Sequence, residues 1–333
     1  MKTVVYKPSP ENIRLLADLL RRGETVAFPT ETVYGLGADA LNESAVAKIY
    51  AAKGRPGDNP LIVHLYDPAQ LKDVALSAPP MAYELMSAFT PGPLTLIFRK
   101  KPEIPDCVTG GLDTVGVRFP AHTAAIRLLR ETDRPVCAPS ANLSTRPSPT
   151  TAQHVLADLD GRIPAILDGG PCEVGLESTI VDVSGDRPRL LRKGGIPAEA
   201  LLPYTGPLET VETADKPLCP GMKYKHYAPE AEVFFSAYYD GMSDTIAAKY
   251  DELVSAGKRA VILCLDGNAA KYGDRALYRM GPDFTAYARN AFAALRRADA
   301  EKYDAVIAEG VHSAGIGGAL INRLIKSSGG KVI

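Results

Sequence analysis

A chain of 333 residues with 46% hydrophobic content can bury a substantial core and is expected to divide into two domains. Lysine and arginine number 38 against 39 aspartates and glutamates, a formal charge of −1, so no global positive field grips nucleic acid, although a local basic cleft is compatible with that balance. No stretch approaches the roughly 18 apolar residues of a membrane span, Met1 to Pro8 lacks the apolar core of a signal peptide, and five scattered cysteines without a Cys-x-x-Cys pair suggest neither a disulfide framework nor a zinc site, so a cytoplasmic protein is expected.

In chain order, β-rich runs alternate with helical patterns. Thr25 to Thr30 reads as a strand, Thr30 to Gly37 as a hydroxyl-rich turn, and Glu43 to Lys53 as an amphipathic helix. Strands follow at Leu61 to Leu65, Pro93 to Arg99, Thr114 to Phe119, Val136 to Ala138, Ala165 to Leu167, Ser178 to Val183 and Arg189 to Arg192. Helices near His122 to Glu131 and Thr150 to Asp158 separate some of them. The expected first domain, residues 1–206, is a twisted mixed α/β sheet covered by helices. From Pro203 to Pro229, prolines and glycines break the periodicity, and residues 207–229 are expected to be a linker or lid. Residues 230–333 then read as strand Ala231 to Phe235, helix Ser243 to Ser255, strand Arg259 to Leu265, helix Phe284 to Arg297, strand Asp304 to Ala308 and helix Gly318 to Lys326. That order predicts a smaller Rossmann-like domain with a parallel sheet.

Gly35-Leu36-Gly37-Ala38-Asp39-Ala40 matches G-x-G-x-x-A, but the next helix begins only near Glu43, so a dinucleotide loop is not expected. No Walker-type phosphate loop occurs. Lys53 and Arg55 flank Gly54 at a predicted helix end, where cations and a glycine cap are commonplace. The stiff loop after them, with Pro56 and Pro60, also suits a phosphate-gripping pair, because lysine supplies a point charge and arginine a fork. His64 alternates with Ile62 on the strand face opposite Leu61, Val63 and Leu65; it is either a satisfied core histidine or a pocket residue. Arg118 lies inside an apolar strand and needs a partner, either a substrate carboxylate or a structural aspartate. Ser140 and Asn142 follow a strand without the G-x-S-x-G elbow, so they read as a plain turn or as ligand-directed polar groups, not as a hydrolase nucleophile. Arg192 and Lys193 precede two glycines and form either an anion site or a solvated pair. Pro220 to Pro229 packs Lys223, Lys225, His226 and two tyrosines between turn residues, a composition an idle linker does not need.

Together these segments resemble the YrdC-like family in its two-domain form. The resemblance rests on Pro29-Thr30-Glu31-Thr32-Val33-Tyr34-Gly35-Leu36, Lys53-Gly54-Arg55-Pro56, Asn59-Pro60-Leu61, Pro91-Gly92-Pro93, Arg118-Phe119-Pro120, Ser140-Ala141-Asn142, Glu177-Ser178-Thr179, Arg192-Lys193-Gly194 and, in the linker, Pro220-Gly221-Met222 and His226-Tyr227-Ala228-Pro229. It implies an L-threonylcarbamoyladenylate synthase, a nucleotidyltransferase that converts L-threonine, bicarbonate and ATP, with Mg²⁺ on the nucleotide, into threonylcarbamoyl-AMP and pyrophosphate. The product would pass to a transferase that modifies the adenosine beside the anticodon of certain tRNAs; direct tRNA contact is possible and not required. By resemblance, Thr32, His64, Arg118, Ala138 and Ser178 surround threonine, and Arg55, Asn59, Thr114, Ser140, Asn142, Ser148, Arg192 and Tyr227 surround the nucleotide. Lys53, Arg55 and Arg118 would serve the chemistry, and no acidic cluster suggests a dedicated metal cage, so Mg²⁺ would ride on the phosphates. One departure is Thr145, where many members carry glycine, which bears on the loop of Ser148. Two rivals are a non-catalytic RNA-binding module, disfavoured by the neutral charge, and a carbamoyl-transferring enzyme on the same fold.

Overall fold

The computed structural model describes residues 2–211, 217–222 and 226–333. The chain divides into two units. The first comprises Met1–Ser144, Pro149–Glu173 and Glu177–Lys223; the second comprises Thr145–Ser148, Val174–Leu176 and Tyr224–Ile333.

Among the described residues of the first unit, eleven strands form one sheet: β1 (Val4–Tyr6), β2 (Val26–Phe28), β3 (Gly35–Asp39), β4 (Ile62–His64), β5 (Leu94–Arg99), β6 (Thr114–Arg118), β7 (Val136–Ala138), β8 (Ala165–Leu167), β9 (Thr179–Asp182), β10 (Arg189–Arg192) and β11 (Glu209–Thr210). Their order is β1-β8-β2-β3-β7-β4-β6-β5-β9-β10-β11. β4 and β6 run parallel, while β4/β7, β3/β7 and β5/β6 are antiparallel, so the expected mixed sheet is what forms. The helix Glu43–Lys53 has the expected bounds because both ends are encoded locally. Asn42 accepts from the Ala45 amide, and Gly54 closes the last turn at φ 60°.

Two elements depart from the sequence reading. β3 occupies Gly35–Asp39, starting inside the expected turn at Gly35 and running past its end at Gly37. Its glycines serve packing: a Cβ on Gly37 would sit 2.8 Å from the Phe28 ring and 2.9 Å from Val136. The G-x-G pattern therefore clears space for an aromatic side chain across the sheet, not for a pyrophosphate. Farther on, Pro203 does not begin the linker. It lies inside the helix Ala198–Thr205, which is anchored by the buried Leu201 and Thr205. Of the expected linker, residues 212–216 and 223–225 lie outside the described residues.

The ladder register sorts side chains onto two faces. Leu36, Ala38, Val63, Leu96, Val117, Cys137 and Val181 share one face and one apolar cluster with Val46, Ile49, Leu85 and Val155 from covering helices. Burying each large aliphatic side chain there contributes about 1.5–3 kcal/mol. The opposite face is covered by two smaller, separate clusters. Val26, Phe28, Val136 and Ala138 pack under helices Pro10–Arg21 and Thr123–Thr132, and Ile62, Ile97, Ile180 and Leu191 pack with Cys219. Between these two clusters the same face carries His64, Thr95, Arg118 and, by alternation from Ile180, Ser178.

In the second unit β12 (Glu232–Phe235), β13 (Ala260–Cys264), β14 (Leu277–Arg279) and β15 (Ala305–Ala308) form an all-parallel sheet in the order β12-β15-β13-β14. This is the expected Rossmann-like arrangement, with β14 as an additional strand. β13 is buried at every residue, as a continuous Ala-Val-Ile-Leu-Cys run in a parallel sheet requires.

Candidate active site

At one end of the central strands, Asn59 precedes β4, Thr114 begins β6 and Ser140 follows β7. The Ser140-Ala141-Asn142 turn is tied down from both sides. Ala141 donates its amide to the Tyr34 carbonyl at 2.8 Å, and the buried Lys53 Nζ donates to the carbonyls of Ser140 and Asn142, each at 2.6 Å. Ser144 returns a backbone hydrogen bond to the Lys53 carbonyl. Two strong charge-assisted bonds to carbonyls hold this turn, so Lys53 supports residues that the resemblance assigns to the nucleotide. Arg55 shapes its own loop by donating to the carbonyls of Asn59 (3.3 Å) and Pro60 (3.0 Å). The Asn59 side chain is buried, and its Oδ1 has no hydrogen-bond partner among the described residues. A buried amide oxygen without a donor is costly unless a ligand supplies one.

At the other end, His64 and Arg118 are register partners on β4 and β6, and Thr95 pairs with Arg118 across β5 and β6. Arg118 is 4% exposed, and its Nη2 donates to Glu31 Oε1 at 2.7 Å. The second carboxylate oxygen of Glu31 accepts from the Ala121 amide at 3.1 Å. The partner that Arg118 needs is therefore a glutamate in the turn between β2 and β3, a residue sequence reasoning passed over although it stands inside the Pro29-Thr30-Glu31-Thr32 run. Arg118 Nε remains buried without a partner among the described residues, an available donor for an anion. His64 sits edge-on to Phe28 with its Nδ1 3.1 Å from the Ile62 carbonyl. A carbonyl only accepts, so this contact is a hydrogen bond in the tautomer that carries its proton on Nδ1. Burial first, and the Arg118 charge second, drive the imidazole down to about 3, so His64 is neutral at physiological pH.

Ser178 Oγ lies 2.7 Å from Thr95 Oγ1 and 3.0 Å from Arg192 Nη2. Arg192 also donates to the carbonyls of Ser178 (3.0 Å) and Pro220 (3.1 Å). Arg192, expected beside the nucleotide, thus stands with the threonine-assigned Ser178. Gly194 makes this possible: a Cβ there would lie 2.3–2.4 Å from backbone atoms of Glu177, Ser178 and Thr179. Thr32 belongs to a tight turn in which its hydroxyl lies 2.8 Å from that of Thr30, and Thr30 donates to the Val33 carbonyl at 2.7 Å. Ala138 is buried beside Ile62 on the same face, and its backbone belongs to the β4/β7 ladder. Thr95 is a second residue the sequence reading missed; its signal was a hydroxyl amid Leu94, Leu96, Ile97 and Phe98 in an otherwise apolar strand.

Ser148 and Tyr227 belong to the second unit. There, Tyr227 stacks on Phe292 with ring centroids 5.2 Å apart, and the Arg323 guanidinium lies 5.4 Å from its ring. Thr145 adopts φ 78°, the region glycine favours, and its carbonyl accepts from the Ala228 amide at 2.9 Å. The backbone keeps a glycine-like shape despite a β-branched side chain, at a cost of about 1–2 kcal/mol.

A mixed α/β sheet with one apolar face, and a second face that carries a buried arginine, hydroxyls and a neutral histidine between two apolar clusters, defines an enzyme class that handles a small polar anion. Residues 18–194 match the Sua5, YciO and YrdC family model, described as "Telomere recombination", and residues 196–329 match the "Threonylcarbamoyl-AMP synthase, C-terminal domain". The chain belongs to the Sua5/YciO/YrdC family in its two-domain form. The threonylcarbamoyl-AMP synthase of Pyrococcus abyssi (strain GE5 / Orsay) is 45% identical over 330 residues, spanning 96% of this chain and 95% of that relative. The Bacillus subtilis (strain 168) protein of the same name is 47% identical over 324 residues, spanning 95% and 93%. A crystal structure of P. abyssi Sua5 complexed with L-threonine matches with a TM-score of 0.95 at 42% identity, covering 99% of both chains.

Proposed function

We infer that this chain is an enzyme that condenses L-threonine, bicarbonate and ATP to threonylcarbamoyl-AMP and pyrophosphate. The observation that carries this reading is its full-length likeness to threonylcarbamoyl-AMP synthases at 45% and 47% identity. The cleft's chemistry supports it. The threonine amine takes up bicarbonate as an N-carboxylate with loss of water. A carboxylate oxygen then attacks the α-phosphorus as the bond to pyrophosphate breaks. No protein nucleophile is needed; the site must hold two anions together and stabilise the charge growing on phosphorus.

The proposed threonine contacts are Thr32, His64, Arg118, Ala138 and Ser178. The proposed nucleotide contacts are Arg55, Asn59, Thr114, Ser140 and Asn142, with Ser148, Arg192 and Tyr227 tested as individual variants. Arg55 and Arg118 supply charge at the reacting groups, and Lys53 serves by holding the Ser140–Asn142 turn. Among the described residues no cluster of three or more His, Cys, Asp or Glu side chains could hold a metal ion, and Mg²⁺ is proposed to enter on the ATP phosphates. Among the described residues no helix is long and apolar enough to cross a membrane. A cytoplasmic place, with the adenylate handed to a tRNA-modifying transferase, is part of the proposal. Residues 207–229 are proposed as the connection between domains 1–206 and 230–333.

The test is incubation with ATP, bicarbonate and labelled threonine. Pyrophosphate and a labelled adenylate should appear together and only when threonine is present. Threonine-independent ATP cleavage, or none, would sink the reading.

A further inference from the structure

The mechanism leaves two buried hydroxyls unused, those of Thr30 and Thr95. Each lies against a hydroxyl proposed to touch threonine, and proton accounting fixes the direction of both pairs. Thr30 spends its only hydroxyl proton on the Val33 carbonyl, 2.7 Å away. Its oxygen also faces the Thr32 and Val33 amides, which donate to it at 3.2 and 3.3 Å, so Thr30 has no proton left for Thr32 and the 2.8 Å contact between the two hydroxyls takes its proton from Thr32. What Thr32 has left is lone pairs, so it can only accept from a ligand.

The second pair has the opposite outcome. Thr95 is fully buried, and Ser178 is its one hydroxyl partner among the described residues. If Ser178 were the donor, the Thr95 proton would be buried without an acceptor, a costly arrangement. Thr95 therefore donates to Ser178. Arg192, which can only donate, takes the other lone pair at 3.0 Å. Ser178 has both lone pairs filled and its own proton left, so it can only donate to a ligand.

We propose that Thr30 and Thr95 are positioning residues that set the hydrogen-bond polarity of the threonine site, with an acceptor-only hydroxyl at Thr32 and a donor-only hydroxyl at Ser178. An amino acid carries donors at its nitrogen and acceptors at its carboxylate. The polarity directs the amine toward Thr32 and the carboxylate toward Ser178 and the buried Arg118 Nε, leaving the nitrogen on the acceptor side where it takes up the carboxyl group. This inference rests on the proposed threonine contacts of Thr32 and Ser178.

The experiment is steady-state kinetics of the full chain, varying threonine and ATP separately, on Thr95→Val, Thr95→Ser, Ser178→Ala and the double variant Thr95→Val/Ser178→Ala. Thr95→Val should raise the KM for threonine about tenfold, the order of one hydrogen bond to a charged group, with kcat and the KM for ATP changed less than about twofold. Thr95→Ser, which restores the hydroxyl, should return threonine KM to within about twofold of the parent, and the double variant should be no worse than Ser178→Ala. Thr30→Val also removes the hydrogen bonds that the Thr30 hydroxyl makes to the Val33 carbonyl and the Thr32 and Val33 amides, so the reading at this position is rescue: Thr30→Ser should return the threonine KM to that of the parent. An unchanged threonine KM in Thr95→Val alongside a raised one in Ser178→Ala overturns the polarity argument alone. An unchanged threonine KM in Ser178→Ala overturns the contact on which it rests. Equal rises in both KM values, without rescue by serine, would mark Thr95 as merely structural and also overturn the proposal.

Discussion

The Glu31–Arg118 pair decides what the proposed threonine site costs in stability and what it can bind. Both side chains are at most 7% exposed and lie 2.7 Å apart. A pair this deep contributes little net stability compared with apolar residues, but removing one charge leaves the other uncompensated. Glu31 also accepts the Ala121 amide, which anchors the approach to helix Thr123–Thr132. Glu31→Gln keeps the shape, removes the charge and sets an amide donor against the Ala121 amide or the guanidinium. The expected loss is about 3 kcal/mol of unfolding free energy, read from urea midpoints with an unchanged slope. Threonine kcat/KM should fall as well, because Arg118 loses the contact that aims it. A variant as stable as the parent would show that the pair contributes nothing to holding the fold together.

At the scale of elements, a buried acid in the second unit joins two strands. Glu309 follows β15, and its Oε2 accepts the Leu265 amide just beyond β13 at 2.8 Å. Its Oε1 accepts from Asn268 Nδ2 and the Tyr272 hydroxyl, both at 2.8 Å. These contacts lie at the carboxyl ends of neighbouring parallel strands, where α/β sheets commonly open a crevice. Here the carboxylate fills that position with three donors. Glu309→Gln must set an NH₂ group against at least one of them, and a loss of about 1–3 kcal/mol is expected in chemical denaturation. A change under about 0.5 kcal/mol would mean that the two strand ends are held by packing alone. Neither this acid nor Glu31 was legible in the sequence. Elements with local signals were: Glu43–Lys53 carries its own caps, and Val136–Ala138 and β13 carry their apolar runs. β3 was read as a turn because its glycines answer to Phe28 and Val136 through space. The site residues were visible one by one, but their partners were not. Arg118 finds Glu31 87 positions away and Ser178 finds Thr95 83 positions away. Periodicity says which face a side chain takes, not what it meets there.

For the whole molecule, the buried histidine makes stability depend on pH in a definite direction. The unfolded chain protonates His64 near its ordinary value of about 6.5, while the folded state resists until about 3. His64's contribution is complete above that ordinary value and is lost as acid pulls protons onto the unfolded chain. The slope reaches about 1.4 kcal/mol per pH unit. His122, also lowered chiefly by burial, acts in the same direction. Glu309 opposes them, because burial raises its folded value and protonating it favours the native state. The three do not cancel at one residue, so a single substitution isolates the His64 share. His64→Gln should lower stability near pH 7 through lost packing against Phe28, yet flatten the fall between about pH 6 and 4 by close to one proton. Denaturant midpoints taken across that range measure it, and repeating them in high salt separates burial from surface charge. A slope set by a desolvated imidazole persists in salt, whereas one set by exposed charges is screened within a few ångströms. An identical acid slope in His64→Gln and the parent would mean that the folded state admits a proton at His64 as readily as the unfolded chain does.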